Sequence, residues 1–298
     1  MRNLIIKKIF DVMSENKDVF FLTADMGINL VEPIQEEYPD RFLNVGIAEQ
    51  NLIGVSAGLA NLGYRPFAYT ISNFVIHRCL EQIRNDISLH DYPITLIGTS
   101  TGFDNAPLGP THHVTDDWGI LKSFSNFQVF CPSSMAFAGS LVSRVLTESR
   151  PTYIRVPKGN PVEPDYVEDL IYIGSEDSAT VLITYGSLTQ ECLKVYKSNA
   201  GISVIVLNRL FPLDEQLLVD KLKLHEVVVV VEDHFPTTGF YGSLCEILIR
   251  NDLNNKVVSL GPRGATFEVG SSADYYHKRF ELDSGSLISR FGALKVDE

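Results

Sequence analysis

The stretch LNVGIAEQNLIGVSAGLA, residues 43–60, joins a short apolar run to a longer run of apolar and small residues, with Glu49, Gln50 and Asn51 at the join. The first run reads as the end of a strand, and the second as a helix from Ala48 to about Leu62. A carboxylate at such a junction has an ordinary explanation. Acids in the first helical turn complement the partial positive charge of unpaired backbone N–H groups. It also has a chemical one, because α/β sheets hold their ligands beyond the carboxyl ends of the strands. The surrounding chain decides between them.

Outward from this stretch, strand-like runs alternate with helix-like ones, the pattern of an α/β fold with mainly parallel sheets. VFFLTAD (19–25), RFLNVG (41–46), RPFAYT (65–70), YPITLIGTS (92–100), FQVFCPS (127–133) and PTYIRVP (151–157) read as strands, with a helix through CLEQIRNDISL (79–89). Asp25, Glu49, Ser100 and Arg155 fall at or just past predicted strand ends, on one rim. KGNPVEPDYVEDLIYIGSEDSA (158–179) then carries prolines and acids without helical period and reads as a linker with room for a short edge strand. A second unit follows, with strands ATVLITYGS (179–187), GISVIVLNRL (201–210) and HEVVVVVED (225–233), and helices TQECLKVYKS (189–198) and FYGSLCEILIR (240–250). The valine run 227–231 fits a parallel strand covered on both faces, and the tail ALKVDE (293–298) fits a frayed end. The expected architecture is α/β in two domains, each a mainly parallel sheet flanked by helices: residues 1–160, a linker over 161–178, and residues 179–298.

Composition narrows the function. The 298 residues are 45% hydrophobic and 21% charged, ordinary for a globular chain with sizeable cores. The formal net charge of −12, with no basic cluster, argues against nucleic acid or an anionic membrane as partner. Any anion must then be held by a few placed cations. No apolar stretch is long enough to span a bilayer, and Lys7 and Lys8 break up what would otherwise pass for a signal segment. Cys79, Cys131, Cys192 and Cys245 show no metal-ligand or CxxC spacing and read as reduced thiols of a cytoplasmic protein.

In order and content, NVGIAEQN (44–51), TADMG (23–27), PFAYTISNFVIHRCLEQIR (66–84), GPTHH (109–113), YIRVPKGN (153–160) and NRLFPLDEQLL (208–218) resemble the second half of a transketolase. The resemblance runs from Arg2 to about Leu248. It implies a thiamine-diphosphate pyrimidine-binding fold followed by a transketolase C-terminal-domain-like fold, and transfer of a two-carbon ketol unit between sugars. Glu49 then becomes the acid that shares a proton with the cofactor's aminopyrimidine, a task needing a desolvated, hydrogen-bonded carboxyl. Phe74 matches the aromatic that stacks on that ring, against the plainer reading of a core phenylalanine. Ile71 and His77 stand where transketolases often carry aromatics, and His77 alternatively faces substrate or covers a helix. Asp25 matches an acid near the cofactor, or is simply a turn residue.

The same resemblance makes His112 a substrate-contacting, proton-moving histidine, and Arg155 and Arg2 phosphate holders, for which the planar guanidinium fork is suited. Arg2 reads equally as a terminal charge, and the role of His113 is open. Two positions depart from the family. Ser100 and Thr101 replace a His–Asp pair, and Pro107 and Leu108 replace an acidic segment. Losing an acceptor at Leu108 leaves a substrate hydroxyl unpaired, so a non-standard sugar is expected, with Asp104 and Asn105 as nearby substitutes. The chain has no Gly-Asp-Gly segment for the diphosphate and its Mg²⁺, which needs hard oxygen ligands, and no metal site of its own is expected. The resemblance therefore implies a split enzyme, with an N-terminal-half partner chain carrying that segment in an α2β2 assembly. The rival readings are the β subunit of a 2-oxoacid dehydrogenase, and a non-catalytic regulatory or scaffold subunit. Glu232, Asp233 and His234 fit an interface better than a reaction.

Overall fold

In the computed structural model, residues 1–159, 161–162, 166–199, 201–264 and 268–291 are described. The tail expected to fray (293–298) and parts of the expected linker lie outside these residues. Among the described residues, twelve strands form two sheets: β1 (Val19–Thr23), β2 (Phe42–Asn44), β3 (Arg65–Ile71), β4 (Thr95–Thr99), β5 (Gln128–Phe130), β6 (Thr152–Val156), β7 (Leu170–Ile173), β8 (Thr180–Thr184), β9 (Ile202–Leu207), β10 (Arg209–Phe211), β11 (Val227–Val231) and β12 (Lys256–Leu260). The first sheet runs β10-β5-β6-β4-β3-β1-β2, and the second β12-β11-β8-β9-β7. Pairing is parallel except at the β10 and β7 edges.

Helices cover both faces of the first sheet. On one side, helix Arg2–Glu15 buries Ile5, Ile6, Ile9 and Met13, spaced for one helical face. It packs in one cluster with Phe137, Leu141, Val142 and Val145 of helix Met135–Glu148. That second helix is capped by the Ser134 side chain, which accepts from the Phe137 N–H at 3.0 Å. On the other side, helix Glu49–Asn61 contributes Leu52, Ile53, Ala57 and Ala60 to a core that continues through Trp118, Tyr153 and Tyr185 into Phe240 and Leu244 of the second unit. The two units thus share a core.

The sheets also share chain. β9 ends at Leu207, and after one residue β10 pairs antiparallel with β5 of the first sheet. Asn208 makes the switch. Its Oδ1 accepts from the backbone N–H and the hydroxyl of Ser133 at 2.9 and 2.7 Å, while its Nδ2 donates to the Glu168 carbonyl at 2.8 Å. The run GISVIVLNRL, read as one strand, is therefore two strands in different sheets. β7, inside the proline- and acid-rich segment, is an edge strand of the second sheet. The valine run is a parallel strand between β8 and β12. The helix expected over 79–89 is broken. A short helix Ser72–Ile76 starts directly after β3, and the chain re-enters at Leu80–Gln82 before a π-helical turn over Ile83–Ser88. Such wide turns occur mostly singly and often near functional sites. Cys79, Cys131 and Cys192 are buried, Cys245 is half-buried, and all four are free thiols. Among the described residues no helix is long and apolar enough to cross a membrane.

Candidate active site

At the carboxyl ends of β1, β2 and β3 the chain makes three turns that meet. After β1, Asp25 takes a left-handed backbone (φ 50°) and is exposed. After β2, the Asn44 side chain bonds both turns together, its Oδ1 accepting from the N–H of Asp25 and of Gly46, each at 3.0 Å. Gly46 at φ 74° bends the chain into helix Glu49–Asn61. No side chain caps this helix, and Glu49 is its first residue, only 2% exposed. The Arg78 guanidinium bonds its carboxylate through Nη1 to Oε2.

After β3, helix Ser72–Ile76 carries Phe74, with half-buried Ile71 just before it. The Phe74 ring meets the His112 imidazole edge-on at 5.1 Å, and the Arg78 guanidinium lies over it at 4.2 Å. The Asn73 side-chain amide donates to the Thr111 carbonyl, which ties the His112 turn to this helix. His112 Nδ1 sits 2.9 Å from the Thr111 hydroxyl. One turn on, His77 Nε2 lies 2.8 Å from Asp116 Oδ1. Burial pushes the His77 imidazole down, but the hydrogen bond and charge of Asp116 outweigh it, and the net shift is up. Glu49, Phe74 and His112 are therefore linked at the strand ends through Arg78, Asn73 and Thr111, a buried acid and an aromatic ring with an imidazole against its edge, while Ile71 precedes the short helix and the exposed His77 follows it.

Other expected site residues lie elsewhere. Leu108 is on a 3-10 turn, 57% exposed. Asp104 does not stand in for the missing acceptor. Its Oδ2 accepts from the backbone N–H of Thr101 and of Lys158 at 3.0 and 2.7 Å, and burial pushes its pKa up to about 7. Ser100 is buried with φ 61° at the end of β4. Arg2 is exposed, and its charge acts on the Tyr69 phenol, whose pKa burial raises. His113 turns away into an aromatic cluster with Phe103 at 5.2 Å and Tyr276 at 4.9 Å, which joins the two units.

Arg155 is the main correction. Its position at a strand end suggested a phosphate holder, yet its side chain has no exposed surface. Nε donates to both Asp117 oxygens at 3.2 and 3.1 Å, and Nη2 donates to Asp233 Oδ1 at 3.2 Å and the Val114 carbonyl at 3.3 Å. His234 completes the network, with Nε2 at 2.7 Å from Asp117 and Nδ1 at 3.1 Å from Asp233. Gly102 (φ 55°) lets the neighbouring loop lie against it, since a Cβ there would come within 1.8 Å of Asp233 Oδ2. The guanidinium joins the units, its Nη1 lying 4.0 Å from Cys131 Sγ, and no part of it reaches the surface.

This network predicts a pH profile of stability. Burial pushes Asp233 up, but Arg155 and His234 pull it down from 3.8 to about 2, so its contribution is present above 3.8 and lost as pH falls through about 2. Burial and Arg155 push His234 down, but hydrogen bonds to Asp117 and Asp233 leave it raised above 6.5. Its contribution is therefore full below 6.5 and lost as pH rises through the folded value. Burial raises both Glu232 and Asp104, which removes further stability as pH climbs from the ordinary carboxyl range. Unfolding midpoints across pH 3–9 are expected to peak on the acid side of neutrality, between the ordinary values of 3.8 and 6.5.

Sequence reasoning missed Arg78, Asn73 and Asp116. Arg78 had a signal, since it lies four residues after Phe74, the spacing that brings side chains together in helical turns.

A mainly parallel sheet with a buried acid and an aromatic at its carboxyl edge is the arrangement of an α/β chain with a strand-end site. Residues 1–162 match the transketolase pyrimidine-binding domain, and residues 171–279 match the transketolase C-terminal domain. The chain belongs to the transketolase family. It is 26% identical over 298 residues to one of the subunits of apulose-4-phosphate transketolase from Actinobacillus succinogenes, covering 97% of this chain and 96% of that one. It is 28% identical to a putative transketolase C-terminal section of Methanocaldococcus jannaschii, covering 97% and 94%. A split gene transketolase solved as an inactive beta4 tetramer superposes with a TM-score of 0.85 at 26% identity, over 98% of this chain and 97% of that one.

Proposed function

We propose that this chain is one subunit of a split, thiamine-diphosphate-dependent transketolase that moves a two-carbon ketol unit between sugars in the cytoplasm. The convergence of buried Glu49 with half-buried Phe74 and His112 at the strand ends carries this reading. Two relatives matched over nearly their whole length, one named as a transketolase subunit and the other as a C-terminal section, support a partner chain. The residues fit the cofactor's ring. The Arg78 guanidinium, a flat group bearing N–H donors, already spans from the Phe74 face to the Glu49 carboxylate.

Bound there, thiamine diphosphate would supply a ring carbon that gives up its proton and carries the two-carbon unit. Glu49 would hold a proton shared with a ring nitrogen, and its burial keeps that proton from exchanging freely with water. Phe74 would fix the plane of the ring, and Ile71 would close its edge. His112, held by Asn73 through Thr111, would bond a substrate hydroxyl and move its proton. His77, whose imidazole Asp116 draws above its ordinary value, would face the anionic end of a substrate. Arg2 is a second cation for the same task, whereas Arg155 is buried against Asp117 and Asp233. Asp25 contributes through its turn. The sequence carries no Gly-Asp-Gly segment, and holding the diphosphate and Mg²⁺ is assigned to the partner in an α2β2 assembly. Leu108, with Asp104 already engaged, supports a sugar that lacks the usual hydroxyl contact there.

Calorimetric titration of thiamine diphosphate and Mg²⁺ tests this, first into the chain alone and then into its mixture with a co-purified Gly-Asp-Gly partner. Binding in the mixture alone is expected. Tight binding by the isolated chain would overturn the division of labour, and no binding in either case would favour a scaffold.

A further inference from the structure

We propose that Arg78 is a resident surrogate for the cofactor's aminopyrimidine, occupying the ring's place in the cofactor-free chain and leaving when the cofactor binds. The inference rests on the thiamine-diphosphate reading. A group that stacks on Phe74 and also bonds Glu49 has to lie between them. The Arg78 guanidinium lies there, over the Phe74 ring at 4.2 Å and bonded to the Glu49 carboxylate. Planarity, π-stacking and N–H donors directed at a carboxylate are what the guanidinium shares with an aminopyrimidine. Both cannot fill one volume.

The physical need arises from Glu49. Its side chain is 3% exposed, and a carboxylate taken out of water without a cation is costly. In the cofactor-free chain Arg78 supplies that cation. The arrangement also allows release. The Arg78 side chain is 44% exposed, so the guanidinium can swing into water, where it is well hydrated. Its backbone stays in place, because the Gln50 side-chain amide donates to the Arg78 carbonyl at 3.0 Å. The departing motion is therefore a side-chain rotation about a fixed turn. Loading the cofactor exchanges one flat donor for another, and the measured affinity is lowered by the fraction of molecules in which Arg78 is seated.

Three variants test this against wild type: Arg78→Ala, Arg78→Lys and Arg78→Met. Each is assembled with the partner chain and titrated with thiamine diphosphate and Mg²⁺ by calorimetry, and the ligand-free assemblies are melted. Arg78→Ala is expected to bind on the order of tenfold more tightly, the size of one ion pair plus one cation–π contact, and to melt at a lower temperature without ligand. Arg78→Lys keeps the charge but loses the flat stack, and is expected to fall between the two. Arg78→Met keeps the apolar stem and replaces Arg78→Ala in the comparison if the latter does not fold. Unchanged or weaker binding by the variants, with measurable binding by wild type, would overturn the surrogate and leave the cofactor reading standing. No binding by wild type or any variant would overturn both.

Discussion

Glu49→Gln is expected to lower turnover of the assembled enzyme by about 10²–10⁴-fold, the range for removing a positioned acid–base group, while the chain stays folded. Gln keeps the shape of Glu and one acceptor oxygen, but it cannot give or take a proton. The Glu49 side chain is buried, which keeps bulk solvent from easily doing so in its place. The fold has less at stake. Arg78 loses its anion, yet its exposed guanidinium hydrates instead, so stability should change by about 1 kcal/mol or less. Steady-state kcat and thermal melting of the same preparations separate the readings. If Glu49 were only a first-turn acid, its replacement would cost about 0.3–1 kcal/mol of stability and leave turnover intact. A variant with normal kcat would therefore end the catalytic reading, whatever its melting temperature.

The strand–turn–helix at Glu49 was legible in the sequence because every signal in it is local. Alternating strands and helices gave the α/β class, and the helices 189–198 and 240–250 have the bounds read from their apolar spacing. The crevice itself was half legible. Phe74 and His112 came from short motifs, whereas Arg78 needed the added notice that it lies one turn beyond Phe74. What local pattern could not supply were contacts made over long separations. Arg155 sits 38 residues from Asp117 and 78 from Asp233, and nothing near it says that both carboxylates fold onto it. A strand-end arginine looks the same in sequence whether it faces a ligand or a buried acid. The strand switch at Asn208 was hidden for a similar reason. Its partners Ser133 and Glu168 lie in distant segments, while the apolar run simply continues across it. The gain from reading local pattern lies in elements, and its loss lies in partners.

Arg155→Met is expected to destabilise the chain by about 3–5 kcal/mol, the cost of breaking a buried ion pair by removing one partner. That is a large share of the roughly 5–15 kcal/mol that holds typical domains. Met fills much of the arginine stem's volume, so the loss reports charge more than a cavity. It would leave the buried carboxylates of Asp117 and Asp233 with the His234 imidazole between them and no guanidinium. Because Asp117 belongs to the first unit and Asp233 follows β11 of the second, the damage falls on the junction between units. Chemical unfolding should shift to lower denaturant and separate into two transitions, each unit losing its hold on the other. Arg155→Lys should recover little, since an ammonium cannot bridge two carboxylates through a planar fork. Adding Asp117→Asn and Asp233→Asn to Arg155→Met should restore part of the loss by removing the uncompensated charges, a non-additivity that only contacting residues produce. The phosphate-holding role predicts the opposite division. Arg155→Met would then raise KM for a phosphorylated sugar and leave unfolding unchanged. The zero exposure of this side chain and its acidic and carbonyl partners favour the structural outcome.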